Sequence, residues 1–107
     1  MVGAVEGREH DGVLAYLSLV LPAVPEAVPR ARARIARLCE ELGLERSLAE
    51  DVALAVTEAC TNCVLHSHVA HALNPTFVLH ARVEDGALLV VVRDFGTGLA
   101  HGPPTAV

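Results

Sequence analysis

Glu58 and Asn62 lie four residues apart in the stretch VTEACTNCVLHSH, residues 56 to 68. From Val52 to Leu65 the chain is otherwise Val, Ala, Leu, Cys and Thr, and Glu58 is its single charge. At about 100° per residue the carboxylate and the amide share one helix face, with Asp51 and Ala55 below and His66 above. The apolar residues on either side predict a helix buried around most of its circumference. A carboxylate so placed is desolvated unless its stripe opens onto a pocket; the alternative is a hydrogen-bonded polar pair inside the core. A second stretch, DFGTGL at 94 to 99, adds an acid at a strand end and two glycines, Gly96 and Gly98, that let backbone approach a ligand closely. Alone, such a stretch is usually a turn. Placed after E-x-x-x-N with a hairpin between them, it points to a nucleotide site.

The elements that must position these groups are marked along the chain. VLAYLSLV, residues 13 to 20, reads as a buried strand between Gly12 and Pro22. The three prolines of PAVPEAVPR oppose regular structure until Pro29, which a helix tolerates in its first turn. From there Ala31, Ile35, Leu38 and Leu42 recur at helical spacing, Arg30, Arg34 and Arg37 form a solvated face, and Gly43 supplies a stop. Ser47 and Glu50 fit a capping box that opens a second helix reaching His66 or beyond. Pro75 to Val83 and Ala87 to Arg93 read as strands joined by Asp85-Gly86, a hairpin signal that predicts antiparallel pairing. The Gly- and Pro-rich residues 100 to 107 read as an irregular tail.

Composition narrows the function classes. A chain of 107 residues with 52% hydrophobic content suits one domain, with its core at about residues 13 to 99. A net charge of -5 and 3% aromatic content disfavour nucleic acid, since phosphate is repelled and few rings are available for base stacking. The start, MVGAVEGREHDG, lacks the order of a secretory signal, no apolar run approaches the ~18 residues of a membrane span, and the three cysteines form no even disulfide framework. These features predict a soluble, cytoplasmic protein without a membrane partner.

The stretch EACTNCVLHSH resembles the N box of the anti-sigma-factor serine/threonine kinases, within the ATPase superfamily that unites gyrase, histidine kinases and MutL, and VVVRDFGTGL resembles that family's first glycine box. The resemblance spans most of residues 13 to 99. It implies an α+β fold, a two-layer α/β sandwich with helices on one face of a mixed, largely antiparallel sheet, its C-terminal part missing. ATP and Mg²⁺ are the implied cofactors. Glu58 would be the catalytic base, accepting the proton of a serine hydroxyl; Asn62 would give its amide oxygen to Mg²⁺. Asp94 would accept a hydrogen bond from the adenine amino group, and Gly96 and Gly98 would shape the pocket floor and the hinge of a lid. His66 matches the N-box histidine, where packing or a hydrogen bond near the helix end outweighs catalysis; Thr61 also matches and would fill the helix interface. Implied partners are a sigma factor, an anti-anti-sigma protein of the STAS type carrying a phosphorylatable serine, and a second copy in a homodimer.

Family members continue into a lid and a second glycine-rich box that holds the triphosphate at a helix N-terminus; the chain stops at Val107. The expectation is a truncated kinase or a short relative. An inactive binding module of the same fold is therefore the alternative function. A rival from another class is a metal site on Cys60, Cys63, His66, His68 and His71, although on one continuous helix these ligands spread over different faces.

Overall fold

A computed structural model describes the backbone of residues 13–94 and 105–106 and the side chains of residues 17–94. Strand β1 is Val13–Pro22, followed by helices α1, Ala27–Glu41, and α2, Arg46–Val69, and then strands β2, Thr76–Glu84, β3, Ala87–Asp94, and β4, Thr105–Ala106. The sheet order is β1-β2-β3-β4, and each pairing among these strands is antiparallel. The fold is the α+β sandwich the sequence implied, with α1 and α2 packed against each other and reaching the sheet. No helix among the described residues is long and apolar enough to cross a membrane.

The core lies between the layers. Alternate strand residues face it, so that Leu17, Ala81 and Val90 form one cross-strand row and Leu19, Leu79 and Val92 the next. From α1 come Ala27, Ala31, Ile35 and Leu38, and from α2 Val56, Ala59, Cys60 and Cys63. Each fully buried large side chain contributes about 1.5–3 kcal/mol, and this apolar contact is what fixes how α2 lies over the sheet. A third row continues the pattern with Leu21 and Phe77, both buried, and ends at Asp94. The strand pleat thus carries an acidic side chain to the helix side of the sheet.

Several boundaries differ from those expected. Helix α1 starts at Ala27, two residues before Pro29, which still sits in the first turn where no N–H is required. Helix α2 is capped by Glu45, whose carboxylate accepts from the Ser47 N–H at 3.2 Å, and not by Ser47. Glu45 has the extended backbone of a cap, ψ 143°, which puts Ser47 in the first turn; Glu50 pairs instead with Arg46 at 3.6 Å. Thr105 and Ala106, expected within an irregular tail, pair with Val92 and Val91, using hydrogen-bonding groups on the β3 edge.

The turns follow backbone chemistry. Asp85 and Gly86 both have positive φ, 52° and 80°, as the expected two-residue hairpin turn requires. Gly43, φ 70°, ends α1: its N–H bonds to the Glu40 carbonyl and that of Leu44 to the Cys39 carbonyl. Helix α2 closes with the same pair of bonds, from His71 to Ser67's successor His68 and from Ala72 to Ser67, but here the left-handed residue is His71, φ 52°.

Candidate functional site

Burial along α2 follows one helical stripe. Val56, Ala59, Cys60, Cys63 and Ser67 are buried, at spacings of three, one, three and four residues. Glu58, Thr61, Asn62 and His66 stand outside that stripe and are exposed. The helix is therefore buried on one face and not around most of its circumference, because two layers cover only one side of it. A core polar pair is overturned for Glu58 and Asn62, as is a packing role for Thr61. Large apolar side chains stay open along the same face: Leu48, Leu54, Leu65 and Val69. Exposed leucines beside a polar stripe mark a surface suited to covering a ligand or partner.

The stripe meets the sheet at its upper end. His66 Nδ1 lies 2.8 Å from Asp94 Oδ2, joining residues 28 positions apart. An ionised carboxylate only accepts, so Nδ1–H is the donor, a tautomer assigned from its partner. The His66 side chain is 45% exposed and that of Asp94 20%, so the bond sits at the rim of the core. Beneath it is Cys63, whose thiol burial pushes up to about 11, with the Asp94 carboxylate adding to the effect. Burial likewise pushes Cys60 up to about 12, Cys63 contributing, and raises Cys39. These thiols are core groups.

At about 1.5 Å rise per residue, Asn62 lies roughly 6 Å and Glu58 roughly 12 Å along α2 from His66. Asp94 is thus at one end of a linear polar track and Glu58 at the other. Gly96 and Gly98 fall outside the described residues. Among the described residues no group of three or more His, Cys, Asp and Glu side chains could hold a metal ion, and two of the five proposed Cys and His ligands, Cys60 and Cys63, are buried in the core. That Cys/His centre is overturned by the helix geometry that separates its members. Away from the track, a shallow groove between α1 and β1 is lined by Leu17, Arg34, Arg37, Leu38 and Glu41.

Residues 21–106 match the family model described as the histidine kinase-like ATPase domain. The chain belongs to that family. Within it, the chain is 33% identical over 81 residues to a serine-protein kinase RsbW of Bacillus licheniformis, covering 76% of this chain and 50% of the relative. It is 33% identical over 81 residues to the serine-protein kinase RsbW of Bacillus velezensis and 32% identical over 81 residues to that of Bacillus subtilis strain 168, with the same coverage. The chain spans about half the length of these curated relatives. The His66 bond joins the end of the helix face bearing Glu58 and Asn62 to the strand end bearing Asp94. That link was not legible in the sequence, which offered only the shared helix face of Asn62 and His66.

Proposed function

We propose that this chain binds an adenine nucleotide along the exposed stripe of α2, with the base at Asp94 and the phosphates toward Asn62 and Glu58. The observation that carries this reading is the His66–Asp94 bond, which sets the strand-end carboxylate at one end of the track. A carboxylate on the core side of a strand end suits an exocyclic amine. An exposed amide one turn below His66 suits a hard cation that keeps most of its own water and phosphate ligands. Mg²⁺, when bound, would neutralise phosphate charge at Asn62. Glu58, one further turn away, would accept the proton of an incoming serine or threonine hydroxyl and orient it for attack.

The RsbW relatives are named as serine-protein kinases, and this supports protein serine/threonine phosphorylation as the reaction. We extend the same reading to a cytoplasmic homodimer that holds a sigma factor and phosphorylates an anti-anti-sigma partner of the STAS type. Its acidic, aromatic-poor composition favours protein partners over nucleic acid. A binding module of the same fold without transfer is the second reading.

Two substitutions separate these roles. Glu58→Gln keeps shape and removes the basic oxygen, so Mg·ATP affinity should persist while transfer to a serine substrate falls about 10²- to 10⁴-fold. Asn62→Ala should remove the magnesium dependence of binding. Calorimetry with and without magnesium, beside a phosphate-transfer assay, reads both. Unaltered binding and transfer in both variants would remove the pair from the site, and binding without transfer in the parent chain would select the binding module.

A further inference from the structure

We propose that the outer edge of β1 and the groove between β1 and α1 form a docking site for an extended, acidic segment of another protein. The groove is lined by Leu17, Arg34, Arg37, Leu38 and Glu41. Arg37 is already paired with Glu41, at 3.4 Å. Arg34 is not so served: its Nε is buried and has no hydrogen-bond partner among the described residues. Arg30 and Arg37 are exposed, as the arginine face of α1 predicts, whereas Arg34 is half-buried. A guanidinium stays charged and donates in a fixed fork that matches a carboxylate, so a buried N–H without an acceptor favours a carboxylate that can reach it. The groove is shallow, and its apolar walls, Leu17 and Leu38, suit the stem of one side chain.

The neighbouring strand edge makes that partner an extended one. Strand β1 ends the described sheet, so its outer edge pairs with no other described strand. Open edges are ordinarily blunted by charge, proline or a bulge. On β1 the register irregularity lies at Val13/Ala15 and the proline at Pro22, while residues 16–21, YLSLVL, carry neither charge nor proline. Such an edge accepts an added strand through main-chain hydrogen bonds, and alternate side chains of the newcomer fall on the helix side. Leu17, Leu19 and Leu21 mark that side of β1, since they are buried in the core; an acid on the added strand beside Leu17 reaches the groove. Charge complementarity disfavours a second copy as the occupant, because β1 holds no acidic residue and strand-to-strand pairing of two copies brings none on that strand to Arg34.

The groove lies away from the polar track of α2, so the test needs no nucleotide. A random octapeptide library displayed on phage is selected on the full chain. Enriched peptides should carry Asp or Glu with apolar residues two positions to either side, and should bind Arg34→Gln about tenfold more weakly than the parent. Arg37→Gln should cost less, since Glu41 already holds Arg37. Amide shifts on peptide binding should gather at residues 17–20, Arg34 and Leu38. Arg34→Met keeps the apolar stem and drops the unpaired donor, so its melting temperature should equal or exceed the parent's; a clear fall would show a guanidinium already partnered in the free chain and overturn the site. Peptides without an acidic preference, equal binding to Arg34→Gln, or no enrichment would each overturn the proposal. So would a sedimenting dimer whose residues 16–21 resist amide exchange and which the peptides do not displace, an outcome that makes a second copy the occupant.

Discussion

The two faces of α2 differ more than any two elements of the fold. One buries Val56, Ala59, Cys60, Cys63 and Ser67 against α1 and the sheet; the other exposes Glu58, Asn62 and His66 beside Leu48, Leu54, Leu65 and Val69. Helical periodicity interleaves them residue by residue, so neighbours in sequence have unrelated duties. Cys60, two residues from Glu58, is a desolvated core thiol, while Glu58 itself stands in solvent. The comparison teaches that apolar neighbours in sequence say little about a polar residue's burial when one face of a helix alone is covered.

The largest effect should separate the faces by stability. Val56→Ala removes fully buried methyl groups and should cost about 2–3 kcal/mol, whereas Glu58→Gln should stay within about 0.5 kcal/mol. Urea denaturation of both variants checks this, and equal losses would break the comparison.

The buried thiols sharpen it through pH. Their folded-state values, about 12 for Cys60 and about 11 for Cys63, lie above the ordinary 9.0. The unfolded chain therefore releases these protons first. Their contribution to stability is fully present below pH 9.0 and is lost as pH rises through 11 to 12. Cys60→Ala should flatten the fall in stability above pH 9.0, and an unchanged slope would show that Cys60 does not carry it.

The smallest effect concerns where the helices stop. Helix α1 ends on Gly43, but α2 ends on His71 in the same left-handed conformation. His71→Gly relieves that backbone and should stabilise the chain by about 1 kcal/mol, visible as a raised melting temperature. A lowered one would mean that the His71 side chain contributes more than its backbone costs.

These ends also mark what was legible in the sequence. Gly43 and Asp85-Gly86 announced their turns because positive φ favours Gly and Asp, whereas His71 gave no such signal, and the end of α2 stayed open beyond His66. A serine with an acid three residues on fits the capping pattern, yet the cap of α2 is Glu45, whose carboxylate accepts from the Ser47 N–H. Spacing and family resemblance single out Glu58, Asn62 and Asp94 as candidates. The exposure of Glu58 and Asn62 was not legible, because burial depends on how many layers cover the helix. The His66–Asp94 bond joins residues brought together by an intervening hairpin, a relation that no local pattern encodes.

Amide chemical shifts of the whole chain, followed as Mg·ADP is added, test most directly whether the exposed face of α2 and the end of β3 form the nucleotide site. Saturable changes should gather at Glu58, Asn62, His66 and Asp94, leaving the α1 and β1 residues around Arg34 and Leu38 unmoved. Changes confined to that α1 groove, or no changes at ligand concentrations that saturate a relative, would contradict the account.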